Sequence, residues 1–351
     1  MTTTTDDQRT PGDSGTPPWR MPAEWDHHEG CLMAWPTRKE LWGPYFAEAK
    51  AEYAATANAI SQFEPVLMIA APGQAHEVRQ ACGSAVDVVE LAIDDSWIRD
   101  SGPSVVLAPD GRRAAVDFRF NSWGERFLPY DQDATISARV LEVLGIERIA
   151  STMILEGGAI TVDGEGTLIT TEQCLLHPNR NPGMSKAEIE AELRARLGIS
   201  KIIWLPYGHY DDAHTDGHVD GVCTFVRPGV VVAQTCEDPA LPDFERMAAN
   251  LRVLRESTDA AGRPFEILEL PEFPIVTLPD GTKTMVAYAN FYIANGAVIV
   301  PIAEHELDEP ALKTLRAAFP DREVVGVPSN IIAYGGGGTH CITQQIPAAA
   351  L

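Results

Sequence analysis

Apolar residues in this chain come in short runs broken by turn residues, and stretches of helical spacing lie between many of the runs. Cys31-Leu32-Met33-Ala34-Trp35, closed by Pro36, reads as a strand. Residues 65–70 read as a buried strand and 86–91 as another, although alternation breaks at Val88-Val89. Residues 45–62, Ala-rich with apolar side chains at helical spacing, predict a helix. From Trp97 onward a unit recurs. Val105-Val106-Leu107 and Ala114-Ala115-Val116 flank Pro109-Asp110-Gly111. Residues 159–162 and 167–170 flank Asp163-Gly164-Glu165-Gly166, the strongest hairpin signal in the chain. Residues 219–226 and 230–233 flank Arg227-Pro228-Gly229, and 287–294 and 297–300 flank Asn295-Gly296. Helices are expected after these hairpins, at about 134–144, 185–197, 242–260 and 309–318. Ser185 with Glu188 three residues on is a capping box. A further strand is expected at 202–205. A last hairpin has to pair residues 341–345 with the N-terminal strand around Ala34.

Five strand-turn-strand-helix units of roughly 60 to 70 residues predict one closed, pseudo-symmetric α/β domain whose ends meet. A chain of 351 residues is ample for a core. Residues 1–18, rich in Thr, Asp, Gly and Pro with no apolar stretch, read as a disordered tail, which leaves 19–351 as a single domain. No run is long or apolar enough to cross a bilayer. A net charge of −23 argues against a nucleic-acid or anionic-membrane partner and is compatible with a cationic substrate. Six cysteines without a Cys-x-x-Cys pair suggest neither zinc knuckle nor redox motif, and a reducing, cytoplasmic compartment fits best.

Gly335-Gly336-Gly337-Gly338-Thr339-His340-Cys341 puts a lone cysteine just past a flexible bend. It is either a nucleophile or a buried, inert thiol. Polar residues stand at equivalent places, at the start of the first strand of each unit: Asp100, Glu156, His218 with Asp220, and Cys341. In a fivefold closed arrangement these starts converge. Strand alternation would put His218 and Asp220 on one face. A thiolate attacks electrophilic carbon, and a histidine gives and takes the protons. Paired carboxylates hold a planar guanidinium. Together these groups point to attack on a guanidinium carbon.

The segments W-I-R-D-S-G-P, E-G-G, G-H-V-D, N-F-Y-I-A-N-G and G-G-G-G-T-H-C-I-T-Q-Q-I-P resemble the agmatine deiminase family, of the guanidino-group modifying (pentein) superfamily. M-P-A-E-W-D-H-H-E-G-C-L-M-A-W-P and T-E-Q-C-L-L-H-P-N-R-N-P are similar too, so the match runs from about 21 to 347. The resemblance implies a five-bladed α/β propeller, a small cationic guanidine substrate, no cofactor or metal, and a homo-oligomer, a dimer. It implies Cys341 as the nucleophile that forms an amidino-cysteine, and His218 as general acid and base. Asp100 and Asp220 are then the carboxylates on the guanidinium nitrogens. Glu156 touches substrate and the histidine, and Trp97 is the aromatic beside the substrate. The product from agmatine would be N-carbamoylputrescine, a step toward putrescine in polyamine biosynthesis.

Three places depart from the family pattern: Asp216 before G-H-V-D, Gly338-Thr339 before the His-Cys pair, and the loop 121–126. They put the tail of the substrate in question more than the chemistry. Asp211, Asp212 or Asp216 could meet a distal ammonium. Alternatives are a deiminase for another guanidine (free, peptidyl or modified arginine) and a pentein that only binds. Asp212, His214, Asp216, His218 and Asp220 alternate in a pattern that suggests metal ligands, but five on one strand cannot reach one ion. His340, next to Cys341, is expected to point to the opposite face with a structural role.

Overall fold

In the computed structural model, which describes residues 19–349, the apolar runs become the inner strands of repeated units. Ser104–Leu107 pairs antiparallel with Arg113–Arg119, which pairs parallel with Glu147–Ile154. The same plan joins Ile160–Val162, Thr167–Thr171 and Lys201–Leu205. It recurs in Cys223–Arg227, Val230–Gln234 and Glu266–Leu270. It recurs again in Tyr292–Ala294, Ala297–Ile302 and Glu323–Pro328. In each unit a helix carries the chain from the second strand to the third: Ile136–Leu144, Lys186–Leu197, Asp243–Glu256 and Asp308–Ala318. A parallel neighbour requires such a crossover.

The fifth unit is assembled from both ends of the chain. Thr343–Pro347 pairs antiparallel with His28–Ala34, in a register that sets Met33 opposite Thr343 and Leu32 opposite Gln344. His28–Ala34 then pairs parallel with Val66–Ala70 across the helix Phe46–Ile60, and Val86–Glu90 adds a fourth strand. The expected meeting of the ends is therefore present in the described residues. The expected disordered tail, 1–18, lies outside them.

Three third strands, Glu147–Ile154, Glu266–Leu270 and Glu323–Pro328, were not expected. Their side chains are largely exposed or half-buried, so they form no apolar run. The helix Ala75–Cys82 was missed as well; of its eight residues only Val78 and Cys82 are buried. A separate hairpin, Ile275–Thr277 with Lys283–Met285, stands outside the repeat.

The capping box is formed in both directions. Ser185 Oγ accepts the Glu188 N–H at 3.3 Å, and Glu188 Oε2 accepts the Ser185 N–H at 2.7 Å. Ser185→Ala is expected to lower unfolding stability by about 1 kcal/mol in a denaturant titration, with the denaturant slope unchanged.

Candidate functional site

The polar residues singled out in the sequence precede the first strand of their units. Asp100 sits on the single turn Ile98–Ser101, ahead of Ser104–Leu107. Glu156 lies just before the 3-10 turn Gly157–Ala159. His218 and Asp220 lie in a turn before Cys223–Arg227, not on a strand, so alternation is not what brings them to one side. Instead the His218 N–H is fixed by Asp212 Oδ2 at 3.0 Å and Thr215 Oγ1 at 3.1 Å, and the Asp220 N–H donates to the Gly158 carbonyl at 3.2 Å. Cys341 is two residues ahead of Thr343–Pro347.

These segments do converge. A cavity of about 370 Å³ is walled by Asp211, His218, Asp220, Asn290 and Cys341, with Gly336–Gly338 on one side. That volume suits a small ligand. The Cys341 thiol lies 3.6 Å from Asp220 Oδ2 and 3.3 Å from the Asn290 amide nitrogen, so the sulfur meets polar groups although the residue borders the buried apolar cluster that holds Trp97. Asp100 lies behind this wall, with Oδ2 accepting the Trp123 indole N–H at 2.8 Å and Oδ1 the Gly158 N–H at 2.9 Å. His218 Nδ1 is 3.8 Å from Asp100 Oδ2. The loop that delivers Trp123 is bent through left-handed backbone at Ser122, Trp123 and Gly124, a conformation that non-glycine residues rarely adopt.

Gly158 is the hub of this convergence. A Cβ there would lie 2.6 Å from His218 Nδ1 and 2.9 Å from both Asp100 Oδ1 and Asp220 Oδ2. Gly158→Ala is therefore expected to lower kcat by about 10²-fold, because displacements near an ångström cost that much, while far-ultraviolet dichroism stays unchanged. Steady-state kinetics beside the spectrum checks this. Gly337 is confined in a similar way: its Cβ would fall 2.4 Å from the Trp97 ring and 3.1 Å from Cys341 Cβ. Trp97 itself is buried behind the glycines and stacked on Trp42, with ring centroids 5.7 Å apart.

Asp216 is not brought to the cavity. Its backbone is left-handed, and its carboxylate is taken by Arg126, by Asn179 Nδ2 at 2.9 Å and by Arg180 Nη1 at 2.9 Å. The expectation that it reads a substrate tail is corrected to a supporting one. It holds the buried Arg180, whose Nε donates to Glu156 Oε1 at 2.5 Å. Nor do the alternating Asp212–Asp220 residues gather as ligands. Asp212 accepts from Thr215 and from the His218 backbone, and Asp216 from the two arginines.

Four contributors went unrecognised in the sequence. Asn290 precedes Tyr292–Ala294 and completes the set for the one unit that had offered nothing. Its Oδ1 accepts the His340 N–H at 3.0 Å, which turns its amide nitrogen toward the Cys341 sulfur. His340, expected to face away, instead bridges two carboxylates: Nδ1 is 2.9 Å from Asp220 Oδ2 and Nε2 2.9 Å from Glu24 Oε1. Glu24, Trp123 and Arg180 are the other three. Glu24, Trp123, Arg180 and Asn290 all lie in or beside segments whose pattern was noticed; the missing signal was a polar residue set among buried neighbours.

Charge is arranged unevenly. Burial, then Asp220 and Asp100, push the Cys341 thiol well above its ordinary value, so sulfur rests protonated. Burial opposes a proton on His218, yet Asp100, Cys174 and Asp220 outweigh it and hold the imidazole well above its usual range. Burial raises the Asp100 carboxyl, partly offset by His218. A bound cation would relieve the crowd of carboxylates and favour the thiolate.

With this geometry in place, comparison with known proteins adds the following. A family model for Porphyromonas-type peptidyl-arginine deiminase matches residues 20–347. An agmatine deiminase of Pseudomonas aeruginosa (strain LESB58) is 42% identical over 353 residues, covering 94% of this chain and 96% of the relative. One from Medicago truncatula is 41% identical over 361 residues, with the same coverage of 94% and 96%. The solved agmatine deiminase of Enterococcus faecalis superposes with a TM-score of 0.91 at 34% identity, covering 96% of this chain and 99% of that one. A dimethylarginine dimethylaminohydrolase structure, at 15% identity and a TM-score of 0.53, shares the fold alone. By fold this is a mixed α/β protein of the pentein type. By sequence the chain belongs to the Porphyromonas-type peptidyl-arginine deiminase family, and within it to the agmatine deiminases. No helix among the described residues is long and apolar enough to cross a membrane.

Proposed function

We propose that this protein is a hydrolase of the guanidinium C–N bond, converting agmatine to N-carbamoylputrescine and ammonia. One observation carries the reading: the Cys341 thiol sits in a cavity shared with His218 and Asp220, inside a chain that aligns almost end to end with agmatine deiminases. The five units are taken to form the five blades of a pseudo-symmetric propeller, a single catalytic domain from residue 19 onward, with the site on its axis. Pairing of the two chain ends supports this.

In the reaction, Asp220 at the wall and Asp100 behind it hold the guanidinium nitrogens; each Asp100 oxygen keeps a second lone pair. The substrate's positive charge favours loss of the Cys341 proton to solvent, and sulfur attacks the guanidinium carbon. A C–N bond breaks as His218 gives its proton to the leaving ammonia. His218 then takes a proton from water, which adds to the amidino-thioester carbon; the C–S bond breaks and the ureido product leaves. Glu156, held by Arg180, stands beside His218 with Oε2 unpartnered. Asp211, exposed on the cavity wall, is the carboxylate we assign to the distal ammonium.

A second reading has one observation in its favour. Lys283, from the hairpin outside the repeat, is a cation on the same wall and could meet a carboxylate, as in free arginine. Product analysis on a panel of agmatine, arginine, methylated arginines and an arginyl peptide tests both. A kcat/KM for agmatine at least about 10²-fold above the others is expected. A preference for arginine overturns the assignment of substrate, and no turnover of any guanidine would leave only a binding protein.

A further inference from the structure

Cys174, from the T-E-Q-C-L-L segment, has no part in the reaction above. It lies on the single turn Glu172–Leu175 and is fully buried, at 0% exposure. Its sulfur, a carboxylate oxygen of Glu156 and a ring nitrogen of His218 all lie within 4.8 Å of one another. Two independent features point toward a ligand. Among the described residues Glu156 gives Oε1 to Arg180 and leaves Oε2 without a partner, and neither ring nitrogen of His218 has an oxygen or nitrogen partner at hydrogen-bond distance, Asp100 Oδ2 being 3.8 Å away and the Cys174 sulfur its other neighbour. Glu156 and His218 are both more than nine-tenths buried, at 0% and 2% exposure.

Thiolate, imidazole and carboxylate together are the donor set of a borderline-soft divalent cation that prefers four-coordinate geometry. Charge points the same way. Asp100 and Asp220 stand beside the group, and Arg180 is the fixed cation against Glu156. A dication would offset that excess of carboxylates. Of the three, His218 lines the cavity, which provides the way in.

We propose that Glu156, Cys174 and His218 form an inhibitory site for a zinc-class divalent cation. Binding forms metal–oxygen, metal–sulfur and metal–nitrogen bonds, and both the Cys174 proton and the proton held on the His218 imidazolium pass to solvent; nothing is oxidised or reduced. The lone pair that His218 needs for proton transfer is then occupied, so the metal and turnover exclude each other. The inhibition rests on the role given to His218 above, whereas the binding does not.

Co²⁺ titration of the full-length protein tests the site through the sulfur-to-cobalt charge-transfer band in the near ultraviolet, with Zn²⁺ as competitor. The band is expected in the wild type and in Cys341→Ser, and lost in Cys174→Ser and Cys174→Ala. Zn²⁺ is expected to inhibit the wild type, with a chelator restoring activity, and its inhibition constant to rise at least about tenfold in Cys174→Ser. A band lost in Cys341→Ser but kept in the Cys174 variants places the metal on the nucleophile and overturns the proposal, as does no band at all. If both Cys174 variants unfold, His218→Gln keeps the thiol and should lose the tetrahedral visible spectrum; retention overturns the site. A missing band beside an inactive Cys341→Ser enzyme sinks the metal site alone.

Discussion

Cys341→Ser is expected to remove turnover of agmatine, by about 10⁴-fold or more in kcat, while the protein still binds it. A hydroxyl in the same place is no substitute. Burial beside Asp220 and Asp100 already pushes the thiol well above its ordinary value, and a serine hydroxyl starts far higher. The bound cation can bring a thiol within reach of ionisation at neutral pH, but not an alcohol. The Asn290 amide, 3.3 Å from the sulfur, is a second source of stabilisation matched to a large, polarisable anion. Three measurements separate this from a general loss of fold. Calorimetric binding of agmatine should persist, the melting temperature should stay within a few degrees, and the amidino adduct seen by mass spectrometry after acid quench of the wild type should be absent. An active Cys341→Ser enzyme would remove the covalent mechanism, and with it the reading of the glycine-rich stretch as the head of a nucleophile.

Much of this site was legible in the sequence because its logic is a repeat. Asp100, Glu156, Asp220 and Cys341 each fall two to four residues before the first strand of a unit, and hairpin signals marked those strands. The same reasoning, carried to the fourth unit, leads to Asn290, two residues ahead of Tyr292–Ala294. An uncharged amide did not stand out as chemistry, although the polar residue before an apolar strand was there to be seen. Strand alternation failed for His218 and Asp220 because the segment is a turn. Their common direction comes from hydrogen bonds to Asp212, Thr215 and Gly158, which are contacts between segments and leave no period in the chain. The outer third strands were missed for the opposite reason: exposed or half-buried on most positions, they have no apolar pattern to read. Asp216 looked like a cavity residue because it is acidic and near His218. Only its neighbours in space, Arg126, Asn179 and Arg180, show that its charge is already engaged.

His340 and Glu24 form the connection that sequence order hides most completely, 316 positions apart, and removing the carboxylate should change how activity depends on pH. Each ring nitrogen of His340 faces a carboxylate, Asp220 on one side and Glu24 on the other, an arrangement satisfied only when both nitrogens carry protons. Burial and Arg99 work against that charge, but Glu24 and Asp220 outweigh them, and His340 takes up its proton above its ordinary value. The effect on Glu24 is reciprocal. Burial alone would raise it, yet His340 and Arg99 bring it from 4.5 down to about 2. For stability the signs differ. Glu24 stabilises the fold above its unfolded value, and that contribution is lost as pH falls from 4.5 toward about 2. His340 stabilises it fully below its unfolded value, and loses that contribution as pH rises through its raised folded value. Function follows from what the imidazolium does to Asp220. One Asp220 oxygen is pinned by His340 near the Cys341 sulfur, and the proposed reaction gives the other to the guanidinium. In Glu24→Gln the imidazolium loses an anionic partner, so it gives up its proton at lower pH, and its hold on Asp220 weakens from a charge-assisted to a neutral hydrogen bond. We expect kcat/KM close to wild type on the acidic side and clearly lower on the alkaline side, with the alkaline limb displaced to lower pH. Glu24→Asp, which keeps the charge, should restore much of the alkaline limb. A loss of the same size at every pH would mean that Glu24 only packs against the ring, and that Asp220 needs no help to stay in place.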